Sequence, residues 1–237
     1  MAETDGGAIG ELVGALEKAH AARRARGDAA PTAAVFSGAI GAGKTTTIRI
    51  VAQQLERRGH RVGLVPERLP EHLFAKYLRD PHAYAWRFQC AMAHLRAYDA
   101  YDALERDDVD FLLFERYIGE DWVFFEANVR SGTIDAAVRG EYTAVTAEPE
   151  RYFRERCALL VDVHTTFALA SERMCRRNRA GEQDAYVDNP YFRTVFDMRE
   201  QWVAAQAAAW GDRVLRFDNT PHSPLHVSAC ELAPASP

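Results

Sequence analysis

The stretch "VFSGAIGAGKTTTIRI", Val35 to Ile50, decides how the rest of the chain is read. It holds Gly38-x4-Gly43-Lys44-Thr45, the pattern of a phosphate-binding loop. A short apolar run, Ala33 to Ser37, precedes it and a helical pattern follows, which is the context such a loop requires. Glycine lets backbone N–H groups turn inward onto phosphate oxygens, and a helix N-terminus adds partial positive charge. Residues Gly38, Ala39, Ile40, Gly41, Ala42, Gly43, Lys44, Thr45 and Thr46 are the expected phosphate cradle. Lys44 can reach the β- and γ-phosphates, and the Thr45 hydroxyl can hold Mg²⁺. The chain is therefore expected to bind a nucleoside triphosphate.

Outward from this loop, short apolar runs alternate with long helical patterns. Strands are expected at 33–37, 61–65, 109–114, 157–163 and 213–217. Helices are expected near 43–58, 81–106, 117–131, 135–156, 166–180 and 190–209, with an earlier one at 9–26. The strand runs are mostly unalternating, as strands buried on both faces are. Strand–helix alternation implies an α/β fold: a five-stranded parallel sheet flanked by helices on both faces. Ligands in such sheets sit at the carboxyl ends of the strands. The division read from the sequence is a polar arm with one amphipathic helix (1–32), a single P-loop domain (33–232) and a short tail (233–237).

Bulk properties narrow the function. The 237 residues carry a net charge of -5, which argues against nucleic-acid binding through a broad basic surface. With 48% hydrophobic residues the chain can bury a core. The four cysteines, Cys90, Cys157, Cys175 and Cys230, form no CxxC pair and read as reduced thiols. The opening residues hold no long apolar run, and acidic residues precede the arginines there, so the reading is cytoplasmic, with no membrane partner.

Four stretches bear on what receives the phosphate. In "GLVPERLPEHLF", Glu67 sits just past the second strand, where a carboxylate can take a proton from an attacking hydroxyl or simply stand in solvent. In "FLLFERY", Glu115 and Arg116 follow a buried strand, so they face a cleft or form a structural ion pair. Glu115 could ligate Mg²⁺ and Arg116 could neutralise phosphate charge. On the helix "PHAYAWRFQCAMAHLRAYDA", Gln89, Met92 and Arg96 share one face. Gln89 can pair with the planar edge of a nucleobase. In "SERMCRRNRAGEQD", Arg173, Arg176, Arg177 and Arg179 crowd together with Glu182 behind them, an arrangement suited to a lid over triphosphate at about 173–186.

Taken in order, "GAIGAGKTT", "VPER", "RFQ", "FERY" and "RRNRAGEQ" resemble the deoxynucleoside kinase family, from about Val35 to Asp218. The resemblance implies ATP as donor, Mg²⁺ as cofactor, a deoxynucleoside as acceptor and a homodimer built through helices, with the apolar stretches 81–106 and 122–129 as candidate surfaces. It implies Glu67 as the base for the 5′-hydroxyl, Arg116 as its orienting partner and Glu115 at the metal. Gln89 would pair with the nucleobase, and Arg173, Arg177 and Arg179 would hold phosphates. Glu182 would meet the sugar 3′-hydroxyl with Tyr77, or with Tyr84 in its place. Arg96 and Asp121 would form a pair at the base edge, favouring deoxycytidine or a purine deoxynucleoside over thymidine. Tyr117 stands where the family has serine, His72 or Phe74 where it has tryptophan, and the lid is about two residues longer. Three other readings remain at this point: a thymidine-preferring member of the same family, a thymidylate-type monophosphate kinase gripping its acceptor through Arg68, and a nucleotide-dependent switch.

Overall fold

The structure is a computed structural model, which describes residues 7–177 and 190–220. Five strands form one sheet: β1 (Thr32–Ser37), β2 (Val62–Val65), β3 (Phe111–Glu115), β4 (Cys157–His164) and β5 (Val214–Asp218). Their order across the sheet is β2-β3-β1-β4-β5, and every pairing is parallel. The connecting helices are α2 (Lys44–Arg57), α3 (Glu71–Arg79), α4 (Pro81–Leu104), α5 (Asp121–Arg130), α6 (Arg139–Arg156), α7 (Phe167–Arg177) and α8 (Pro190–Trp210), with α1 (Ala8–Ala25) ahead of the sheet.

Both faces of the sheet are covered. Alternate residues of β1 point to opposite sides, so Ala34 and Phe36 join one apolar cluster while Ala33 and Val35 join the other. The first cluster takes in α2 and α3, the second the far end of α4 together with Phe153 and Trp210. All six residues of β1 are buried, and only the last residue of β3 is partly open. The edge strands β2 and β5 depart from the expectation of two-sided burial: each is partly exposed along its length. Position at the sheet edge, not composition, sets this difference.

The helix expected in residues 1–32 is α1. Its Leu12, Val13 and Leu16 are fully or almost fully buried in the first cluster. It is therefore packed as part of the sheet domain. No helix is expected from the sequence between the second strand and residue 81, yet α3 lies there. Pro66 and Pro70 punctuate that stretch like a loop, but Leu73, Phe74, Tyr77 and Leu78 fall at helical spacing and all pack on the core. Helix α4 begins where Pro81 occupies its first turn and the Asp80 side chain accepts from the Ala83 N–H at 3.1 Å. Among the described residues no helix is long and apolar enough to cross a membrane.

Candidate active site

The carboxyl ends of β1, β2 and β3 converge on a cavity of about 520 Å³. The loop after β1 forms its floor. Gly43 has φ 94° and Gly41 φ 80°, left-handed values that a side chain resists. Gly41 is also hemmed in: a Cβ there would stand 2.3 Å from the Ala170 carbonyl oxygen. Ile40, Gly41, Gly43, Lys44, Thr45 and Thr46 line the cavity, whereas Gly38, Ala39 and Ala42 lie behind it. The carbonyls of those three tie the loop together. Lys44 Nζ donates to Gly38 and Ala39 at 2.9 and 3.0 Å, and Asn219 Nδ2 donates to Ala42 at 2.7 Å. Burial, with Arg116 beside it, pushes the Lys44 ammonium down to about 7, against the pull of Glu120, Glu67 and Glu115.

Glu67 follows β2 and reaches the cavity wall at 28% side-chain exposure. Two arginines hold its carboxylate. Arg96 Nη2 donates to Oε1 at 3.1 Å, and Arg116 Nε stands 3.2 Å from the same oxygen. Burial alone would raise this carboxyl, but Arg116, Arg96 and Lys44 outweigh burial and hold it at about 2. Arg96 also donates to Asp121 Oδ2 at 2.7 Å. Asp121 is almost wholly buried, and that burial raises its carboxyl against the attraction of Arg96.

Arg116 carries a backbone feature that its type does not favour. Its φ is 81°, the left-handed region, and it is the one non-glycine there among the described residues. The turn sends its guanidinium back under the cradle, where Nη1 donates to the Gly38 carbonyl at 3.1 Å. Its neighbour Glu115 accepts from Thr45 Oγ1 at 2.6 Å. A hydroxyl and a carboxylate meeting at the cavity edge are hard oxygen donors of the kind Mg²⁺ takes, the remaining ligands coming from phosphate and water. These two residues fit that ion.

The residues expected on the nucleobase side are brought together as the helical spacing requires. Gln89, Met92 and Arg96 all face the cavity from α4, with Phe74, Phe88 and Phe124 as apolar walls. Phe74, one of the two residues standing at the missing tryptophan, lines the cavity. Tyr77 lines it too, but its hydroxyl donates to Asn128 Oδ1 at 3.2 Å. Tyr84 does not line it; its ring lies 5.6 Å from Lys76 Nζ. Asn128 also donates to the Tyr191 hydroxyl at 2.8 Å, so Tyr77 and Tyr191 meet at one buried amide.

From α7, Arg173, Arg176 and Arg177 line the cavity. Arg173 is already engaged, donating to Ala42 O and Asn219 O, both at 3.1 Å. Arg179 and Glu182 lie outside the described residues, as does most of the expected lid. Arg68 does not line the main cavity; it pairs with Asp99 at 2.5 Å on the surface.

Several residues at the site carry no signal in the sequence. Asn219 was hidden because the stretch after Asp218 matches no expected pattern. Asn128, Tyr191 and Arg199 carry no local signal as single polar residues inside helices, and Glu120 carries none at the end of the short 3-10 turn Ile118–Glu120.

Comparison with known proteins agrees with this geometry. The model of the deoxynucleoside kinase family matches residues 35–229. The chain belongs to the deoxynucleoside kinase family. The enzyme is thus an ATP-dependent nucleoside kinase. Among solved structures, deoxyadenosine kinase from M. mycoides with bound dATP superposes with a TM-score of 0.58 at 19% identity, over 79% of this chain and 91% of that one. The same M. mycoides enzyme with bound dCTP gives the same score and identity, over 79% and 90%. At that identity the likeness speaks to the fold, and it shares the five-stranded parallel sheet. A search of curated proteins returns no match.

Proposed function

We propose that this kinase transfers the γ-phosphate of ATP to the 5′-hydroxyl of a deoxynucleoside, with deoxycytidine or a purine deoxynucleoside preferred over thymidine. The observation that carries the reading is Glu67, a carboxylate at the cavity wall held between Arg96 and Arg116 and facing the phosphate loop. Phosphoryl transfer asks a protein chiefly to position the reactants and neutralise charge. Glu67 accepts the hydroxyl proton. Lys44, Arg116, Arg173 and Arg177 surround the phosphates with positive charge, joined by Arg179 beyond the described residues. Thr45 and Glu115 would hold Mg²⁺, which when bound would neutralise charge on the phosphate oxygens.

Gln89 meets the Watson–Crick edge of the base between Phe74, Phe88 and Phe124. The Arg96–Asp121 pair offers donors and an acceptor there and leaves little room for a thymine methyl. Tyr77, with Glu182, addresses the sugar 3′-hydroxyl. The same reading carries a role in nucleotide salvage in the cytoplasm and a homodimer through α4 and α5, whose exposed Tyr98 and Trp122 provide apolar surface. A thymidylate-type activity would need an arginine gripping the acceptor's phosphate. Arg68, the candidate for that task, is paired with Asp99 away from the main cavity.

The test is phosphate transfer from ATP–Mg²⁺ to deoxycytidine, deoxyadenosine, deoxyguanosine, thymidine and dTMP. Transfer to one of the first three supports the reading. Preference for thymidine keeps the reaction and removes the base assignment of Arg96 and Asp121. Transfer to dTMP alone overturns the role of Glu67.

A further inference from the structure

Glu120 lies beneath the active site and does not line it. It ends the single 3-10 turn Ile118–Glu120 between β3 and α5, four residues after Arg116, and it is fully buried. Its Oε1 stands 3.1 Å from Arg116 Nη1 and accepts from the Gly38 N–H at 3.3 Å. One oxygen thus touches both the arginine at the end of β3 and the first glycine of the phosphate loop.

Behind Glu120 stands Arg199 from α8, also almost wholly buried. Its Nε is 3.5 Å from Glu120 Oε1, its Nη2 is 2.5 Å from Asp162 Oδ1, and Nη2 donates to Ser37 Oγ at 3.0 Å. Ser37 ends β1 and Asp162 lies near the carboxyl end of β4, two residues before His164. The chain of contacts therefore ties the carboxyl ends of β1, β3 and β4 to one helix.

Such a network is a poor way to gain stability. The loss of hydration on burying two carboxylates and two guanidinium groups rivals the attraction between them, and well-packed apolar residues would serve a core as well. Burial would raise the Glu120 carboxyl, but Arg116, Arg199 and Lys44 outweigh it and keep the group ionised. Arg116 also needs restraint. Its left-handed backbone persists only where the surroundings over-determine it, and such strain clusters at functional sites. Glu120 supplies a fixed partner for Nη1, leaving Nε for Glu67.

We propose that Glu120, locked in turn by Arg199, is a positioning residue that aims Arg116 at Glu67 and at the transferring phosphate. This rests on the role given above to Arg116. Because Glu120 acts through another side chain, its effect must vanish when Arg116 can no longer respond.

The experiment is a double-mutant cycle on steady-state kinetics with ATP–Mg²⁺ and the preferred deoxynucleoside, each variant first checked for a cooperative melt. Glu120→Gln keeps the shape and removes the charge. It is expected to lower kcat by about 10–100-fold with KM for both substrates within about 3-fold. In an Arg116→Lys background the same change is expected to cost less than about 2-fold, because coupled residues are non-additive. Arg199→Lys, which keeps the charge but loses the fork, is the second variant and is expected to follow the same pattern at smaller size. A folded Glu120→Gln with wild-type kcat, or an equal loss in both backgrounds, overturns the proposal. So does loss of the melting transition in both variants, which would make the network a folding element. If the wild-type chain transfers phosphate to no deoxynucleoside, it is the functional reading that falls instead.

Discussion

Arg96 Nη2 lies 3.1 Å from Glu67 Oε1 while its Nε holds Asp121 at 2.7 Å, so one guanidinium joins the acid proposed for the base edge to the proposed general base. On the proposed function, selection of the nucleobase and ionisation of Glu67 share a residue. A change at Arg96 meant to alter base preference should also alter the chemistry.

The consequence is testable through pH. Arg96 is one of the charges that hold Glu67 at about 2, well below the ordinary 4.5. With Glu67 as the proposed general base, transfer needs it ionised, so Arg96→Met is expected to move the acid limb of kcat/KM to higher pH, as well as weakening discrimination between bases. The same shift bears on stability. Because the folded value is depressed, Glu67 contributes stability that is fully present above pH 4.5 and is lost as pH falls from there toward 2. The stability gap between wild type and Glu67→Gln should narrow over that window, read by denaturant melts.

Lys44 titrates in the opposite sense. Its ammonium is pushed from 10.5 down to about 7, so at pH 8 most of it is neutral in the folded protein. Phosphate oxygens beside it favour the charged form and raise the value. ATP–Mg²⁺ binding at pH 8 should therefore take up a fraction of a proton, measured by calorimetry in buffers of different ionisation enthalpy. Lys44→Arg, which stays charged, should show no such uptake.

The left-handed backbone of Arg116 separates strain from chemistry. Glycine has no Cβ to oppose φ 81°, and single residues held there cost on the order of 1–3 kcal/mol. Arg116→Gly should be more stable than Arg116→Ala by about 1 kcal/mol, because relief of strain is the main difference between them. Both should be equally poor catalysts. Equal stability of the two variants would show that the strain is no larger than the entropic cost of glycine, about 0.5–1 kcal/mol.

Helix α1 should behave as part of the domain. Leu16 is fully buried against the first apolar cluster, so Leu16→Ala should cost about 2–5 kcal/mol in unfolding free energy. A change within about 0.5 kcal/mol would be that of an exposed helix instead.

Much of this was legible in the residues. The P-loop pattern, the buried runs of β1, β3 and β4, and the i, i+3, i+7 face of Gln89, Met92 and Arg96 are local signals, and local signals survive in one sequence. Helix α3 was masked by Pro66 and Pro70, although its apolar spacing was there to be counted. Asn219, Asn128, Glu120 and Arg199 were illegible for a different reason. Each gains its place from partners 51 to 177 residues away or from burial, neither of which leaves a mark on neighbouring letters. The left-handed turn at Arg116 is equally silent, since nothing in "FERY" asks for it.

The most direct test of the account is the turnover of Glu67→Gln with the preferred deoxynucleoside. The isosteric amide keeps size and removes the proton acceptor. The account predicts a kcat lower by roughly 10²–10⁴, the usual range for a general acid–base group, with deoxynucleoside binding nearly intact. Unchanged turnover with weakened binding would contradict it and leave Glu67 a substrate-holding residue between two arginines.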